Sequence, residues 1–176
     1  MTNLLFGIIG LLVGGLINVL ADDLPERERP QAPHCPRCGH THGVGSWLAV
    51  GQWLWGGRAC ASCGLATRPR NLAVELGTAV LFAALPNLVE GWASLAIIAF
   101  YEAVLVLVIV IDMEHRLILH IVTFPTTLLA IGLSEFLVGN GWRSAAVGAV
   151  TGFLIFYIFY WIGQIVFAPV PLASAT

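Results

Sequence analysis

The sequence predicts an all-α polytopic membrane protein of about five transmembrane helices, interrupted by one polar insertion. Three observations predict it. Of 176 residues, 58% are hydrophobic and only 10% are charged, against about 25% charged in an ordinary soluble domain. Mean hydropathy is +0.87. The apolar residues fall into runs of roughly 20, the length that crosses about 30 Å of hydrocarbon. This composition excludes an ordinary soluble domain and argues against disorder. It also excludes nucleic-acid binding, because the chain has no lysine, a formal net charge of −2 and no basic stripe to meet phosphates.

The first run covers Asn3 to Ala21, is rich in glycine and ends at Asp22-Asp23. A signal peptide is the competing reading, but no basic residue precedes the run and no small-residue cleavage site follows it. We expect a retained span over residues 1–21. Four further spans are expected at Leu72–Val89, Ala93–Ile111, Leu117–Val138 and Ser144–Ala168, with short links between them. Pro86 and Pro125 are positioned to kink or end their helices. The corresponding division is 1–21, the polar loop 22–71, two spans in 72–111, two more in 112–168, and an irregular tail at 169–176.

Orientation follows from the arginines. Arg27, Arg29, Arg37, Arg58, Arg68 and Arg70 lie in the 22–71 loop, and Arg116 lies between the third and fourth spans. The positive-inside rule places both segments in the cytoplasm, with the N-terminus outside. Two segments far apart in sequence are thereby predicted to share one membrane face.

The loop carries all four cysteines, as Cys35-Pro36-Arg37-Cys38 and Cys60-Ala61-Ser62-Cys63, separated by 21 residues. A two-residue gap places both thiolates on one side of a tight turn, and two such turns complete a tetrahedral zinc site. Gly39 and Gly64 follow the pairs directly, as a knuckle turn favours. Disulfides do not suit a cytoplasmic loop, and no βαβ pattern supports a redox motif. His34, His40 and His42 are rival ligands that four cysteines make unnecessary. With every position filled by sulfur, the zinc is expected to be structural. The fold class is therefore an all-α membrane protein with a small zinc-binding cytoplasmic insertion.

Asp112 closes the third span in Val108-Ile109-Val110-Ile111-Asp112-Met113-Glu114-His115-Arg116. A carboxyl where hydrocarbon meets water suits acid–base work, and it equally suits a plain span terminator. Glu102 lies ten residues earlier, about 15 Å deeper along a helix, and must face protein or water. Glu75 lies near the start of the second span and Glu135 towards the outer end of the fourth.

Together these residues resemble the bacterial prepilin leader peptidase/N-methyltransferase family, over nearly the whole chain. Gly15-Leu16-Ile17-Asn18-Val19 followed by Leu24-Pro25 is similar to the family's opening motif, with Asp23 where an Arg is usual. The cysteine pairs match its zinc-binding segment. Gly57-Arg58 before Cys60, and Arg70, Val74 and Glu75, resemble two further elements. Asp112 resembles the first catalytic aspartate.

The resemblance implies a membrane aspartic peptidase in the bacterial inner membrane. One carboxylate activates water and the other protonates the leaving group. Its substrate is the leader of a prepilin or pseudopilin, cut at the cytoplasmic face of the lipid bilayer. It further implies methylation of the new N-terminus with S-adenosylmethionine, an activity associated with the zinc loop, Gly57, Arg58 and Glu75.

The sequence departs from the pattern in two further places. Leu119-His120 replaces the family's Pro-Asp, and the second aspartate, in a G-x-G-D motif, is missing, with no Asp or Glu after Glu135. One permitted coding of Ala168 to Thr176, read two bases later, yields Gly-Phe-Gly-Asp. The tail is therefore expected to be the product of a frameshift or sequencing error in a longer reading frame, with the peptidase centre incomplete. Two alternatives stay open: a methyltransferase only, and a non-catalytic zinc-binding membrane protein.

Overall fold

The computed structural model describes residues 1–25, 32–35, 37–43, 46–55, 57, 59–116, 120–136 and 141–166. Among the described residues six α-helices are formed: α1 (Thr2–Asp23), α2 (Ala49–Leu54), α3 (Pro69–Leu88), α4 (Trp92–His115), α5 (His120–Leu133) and α6 (Trp142–Val166). Four of them, α1, α3, α4 and α6, are long and apolar enough to cross a membrane. The chain divides into two units, Met1–Thr126 and Thr127–Thr176.

In the first unit, α1 and α3 lie antiparallel and in close contact. Glycines on one face of α1 permit it. A Cβ at Gly10 would sit 2.6 Å from the Thr78 carbonyl oxygen, and one at Gly14 would sit 2.7 Å from the Glu75 Cα. Lipid gives helices no hydrophobic reason to associate, so close backbone approach over small residues supplies the dispersion contact instead. Amides tie both ends of the pair: Asn3 Nδ2 donates to Asn87 Oδ1 at 3.0 Å, and Asn18 Nδ2 donates to the Asn71 carbonyl at 3.0 Å. Pro69 opens α3, where a missing N–H costs no helical bond.

Gly91, at φ +86°, reverses the chain into α4. Leu107, Val110 and Ile111 of α4 then pack on Ile17 and Ala21 of α1, while Leu95 packs on Phe82 and Leu85 of α3. The C-terminal ends of α1 and α4 and the N-terminal end of α3 consequently lie together. Charged side chains join them there. Arg70 binds Asp22 at 3.0 Å and also binds Glu114, and Arg68 binds Asp22 at 3.2 Å.

The fourth expected span, Leu117–Val138, is shorter among the described residues. Helix α5 has 14 residues and runs into a 3-10 turn at Ser134–Phe136. Fourteen residues rise about 21 Å, less than the hydrocarbon thickness. Pro125 lies within α5 without ending it. The next residue, Thr126, donates its hydroxyl to the Val122 carbonyl at 2.7 Å, the back-bond that a hydroxyl side chain makes to its own helix.

In the second unit, the Glu135 carboxylate accepts the Trp142 N–H at 3.1 Å and caps α6. Phe153, Tyr157 and Trp161 follow one another along α6 with ring centroids 5.9 and 6.5 Å apart. Its large aromatic side chains, Trp142, Phe153, Phe156, Tyr157, Phe159, Tyr160 and Trp161, are exposed.

Candidate functional site

Each cysteine pair forms a knuckle, and the two knuckles repeat one design. Gly39 N–H donates to the Cys35 carbonyl at 2.9 Å and Cys35 N–H to the His40 carbonyl at 2.9 Å. Gly64 N–H donates to the Cys60 carbonyl at 2.9 Å and Cys60 N–H to the Leu65 carbonyl at 2.8 Å. Gly39 and Gly64 sit at φ +68° and +70°, a left-handed turn that only glycine adopts without strain. Single bridges, His34 with Thr41 and Ala59 with Ala66, close each turn.

The knuckles bring all four predicted sulfurs together. The Sγ atoms lie within 4.8 Å of one another, with Cys35 to Cys63 at 3.6 Å and Cys38 to Cys60 at 3.7 Å. Tetrahedral zinc with Zn–S bonds of about 2.3 Å places its sulfurs about 3.8 Å apart. The separations fit that geometry and are too long for disulfides; all four cysteines are free.

The acidities differ sharply within the cluster. The Arg37 N–H, opposed by burial and helped by the Cys38 N–H and neighbouring sulfurs, brings Cys35 down to about 6. The His40 N–H favours the Cys38 thiolate, yet burial and the three other sulfurs push that thiol up to about 12. Four packed sulfurs cannot all ionise without a cation among them, so the donor set itself suits a soft dication.

Glu75 is buried, at 1% exposure. Its Oε1 accepts the Ala49 N–H at 2.7 Å and its Oε2 accepts the Val50 N–H at 2.8 Å. It thus holds the first turn of α2, which hangs the loop on α3. A cavity of about 80 Å³ lies beside it, lined by residues that include Gly15, Asn18, Trp47, Gln52, Glu75 and Cys60. Trp47 reaches it over Gly15, where a Cβ would lie 3.7 Å from the indole nitrogen and 2.6 Å from Leu48 Cδ2. Thr67 donates its hydroxyl to Gln52 Oε1, and Gln52 Nε2 donates to the Ser46 carbonyl at 2.5 Å.

Gly57 and Asp112 are not among the residues that line this cavity. Gly57 is exposed, with nothing within 4 Å of where a Cβ would project. Arg58, Leu119 and the tail 169–176 lie outside the described residues. Asp112 is exposed one turn from the end of α4, where the Arg116 N–H caps its carbonyl at 2.9 Å. Arg70 nevertheless holds the Asp112 turn to the loop end of α1 and α3, through Glu114. Sequence reasoning did not find Trp47 or Asn18 as site residues. The signal for Asn18 was a lone amide near the end of an apolar run.

Helices of this length and apolarity, joined by a four-cysteine loop whose zinc-compatible centre lies at the same end as Asp112, define an integral membrane protein with an insertion that could hold a metal ion. A model of the bacterial peptidase A24 N-terminal domain matches residues 8–88, and that of the type IV leader peptidase family matches residues 99–173. The chain belongs to this family. It is 33% identical over 171 residues to the prepilin leader peptidase/N-methyltransferase of Myxococcus xanthus, covering 91% of this chain and 48% of that protein. The Dichelobacter nodosus protein of the same name is 28% identical over 189 residues, covering 91% and 66%. The one from Pseudomonas aeruginosa is 27% identical over 185 residues, covering 90% and 63%. The chain thus spans between about half and two thirds of the length of these relatives. No solved structure matches it significantly.

Proposed function

We propose that the chain acts in prepilin processing at the cytoplasmic face of a bacterial inner membrane, with the 22–71 loop inside and the N-terminus outside. The supporting observation is the gathering of the cysteine knuckles, Glu75 and the Asp112 turn at one end of the first unit. In the proposed division of labour, 1–21 and 72–111 anchor the loop, and 112–168 carries the part of the aspartic peptidase domain present here. Asp112 supplies one of two carboxylates: one activates water on the scissile carbonyl and the other protonates the leaving amine. Cys35, Cys38, Cys60 and Cys63 would hold zinc and leave it no open position, so the metal would serve to hold the loop. S-adenosylmethionine, when bound, supplies an electrophilic methyl group to the new pilin N-terminus. Gly57, Arg58 and Glu75 are the residues proposed for that activity.

The 176 residues contain no Asp or Glu after Glu135. A polypeptide of these residues is therefore expected to methylate a pre-cleaved pilin but not to cut a prepilin. The test is transfer of labelled methyl from S-adenosylmethionine, run beside prepilin cleavage. Cleavage by this polypeptide that survives Asp112→Ala would overturn the role of Asp112. Absence of methyl transfer would favour a non-catalytic zinc-binding protein.

A further inference from the structure

We propose that the cavity beside Glu75 is a binding site for an α-ammonium group with a neighbouring carbonyl or carboxylate oxygen, the head group of an amino acid or of a peptide N-terminus.

Two buried polar atoms on its walls have no hydrogen-bond partner among the described residues: Asn18 Oδ1 and Trp47 Nε1. Asn18 is only 6% exposed, and its Nδ2 is committed to the Asn71 carbonyl. That bond fixes the amide orientation and leaves the oxygen as the unused acceptor. The indole N–H of Trp47 is an unused donor. A buried group without a partner costs about 1–3 kcal/mol, and here the acceptor and the donor belong to two residues that line the same cavity.

The charge has the same polarity. The Glu75 carboxylate makes no ion pair among the described residues; the Ala49 and Val50 N–H groups of α2 donate one bond to each of its oxygens. A carboxylate has about four acceptor sites, so it retains acceptor capacity for a cation. Arg68 also lines the cavity, but its guanidinium binds Asp22 at 3.2 Å. His34 is engaged in the same way, 3.9 Å from Asp23.

The complement of this set is a cationic N–H donor facing Glu75 and Asn18, with an oxygen acceptor facing Trp47. A bare alkylamine lacks the acceptor, and a bare carboxylate lacks the cation. The volume agrees. A water-sized position takes about 15 Å³ on this measure, so about 80 Å³ holds nitrogen, Cα, carbonyl carbon and oxygen and leaves room for the start of a side chain.

This inference rests on the proposed methyl transfer only for its two natural sources, a pilin N-terminus and the methionine head of S-adenosylmethionine. The test measures binding to the full chain, zinc-loaded and in detergent micelles. Its probes are a hexapeptide amide with a free amino terminus, the same peptide N-acetylated, and S-adenosylmethionine. At least one of the two free-amine probes is expected to bind, and the probe that does identifies the source. Acetylation is expected to weaken the peptide about tenfold or more, as loss of a charge-assisted hydrogen bond does. Glu75→Gln is expected to weaken the bound probe to the same degree.

Because Glu75 also holds α2, Trp47→Phe provides the second reading: it keeps the ring, removes the donor, and should weaken binding about three- to tenfold. The indole N–H resonance that Trp47→Phe deletes should move when the binding probe is added to the unmodified chain. Equal binding of the free and acetylated peptides together with no binding of S-adenosylmethionine overturns the site. So does affinity unchanged by both substitutions. Methyl transfer is scored separately. Amine-selective binding without methyl transfer leaves this site standing and removes the methyltransferase reading, and methyl transfer without amine-selective binding does the reverse.

Discussion

Gly14→Ala tests how tightly the α1–α3 contact controls the site. The added Cβ would lie 2.7 Å from the Glu75 Cα, 3.2 Å from the Val74 carbonyl oxygen and 3.3 Å from the Glu75 nitrogen. All three are backbone atoms, so no side-chain rotation relieves the overlap. Restoring ordinary carbon contact at about 3.6 Å requires the helices to separate locally by about 0.9 Å, and overpacking of this kind costs about 1–3 kcal/mol. The displaced residue is Glu75 itself. Its bonds to Ala49 and Val50, now 2.7 and 2.8 Å, would stretch to about 3.6 Å, beyond hydrogen-bond range.

Thermal unfolding in detergent and methyl transfer read the two consequences, with misplacement on this scale expected to lower activity by up to about a hundredfold. Two controls share the helix pair. At Gly7 the added Cβ would make ordinary contact, 3.4 Å from Ala83 Cβ, and at Gly77 it would meet nothing within 4 Å. Gly7→Ala should be close to neutral, and Gly77→Ala should stabilise by up to about 1 kcal/mol through helix propensity. A Gly14→Ala chain as stable as Gly7→Ala would refute the close-contact argument.

Three further outcomes follow from the same geometry. Replacing Cys60 by Ser should abolish stoichiometric zinc, read by elemental analysis. Zinc affinity should rise with pH, because Cys38, pushed up to about 12, gives up its proton only to the metal; affinity flat between pH 6 and about 8 would contradict this. Arg70→Gln should release Glu114 from α1 and α3 and cost about 1 kcal/mol, because Arg70 is only partly exposed and grips two carboxylates. A double-mutant cycle with Glu114→Gln in thermal unfolding isolates the pair, and full additivity would show that it carries no coupling.

The apolar runs marked α1, α3, α4 and α6 in the sequence to within a few residues, because a helix that must satisfy its own backbone in lipid is a local structure. The cysteine centre was equally legible: two residues between thiols and a following glycine fix a knuckle whatever surrounds it. Within the fourth expected span, Leu117–Val138, the described helix changes to a 3-10 turn at Ser134, a change that hydropathy does not register.

What only the tertiary structure decided is contact between distant segments. Glu75 looked like a carboxylate near a span end. Its meaning comes from Ala49 and Val50, 26 and 25 residues away, which α1 and α3 bring to it by meeting at Gly14. Asn18 and Trp47 become a donor–acceptor pair only when Gly15 lets the loop lie against α1. Periodicity and spacing are written along the chain, so the sequence determined the membrane helices and the four-sulfur centre. Which buried atoms lack partners depends on helix approach to within an ångström, and that is set by packing alone.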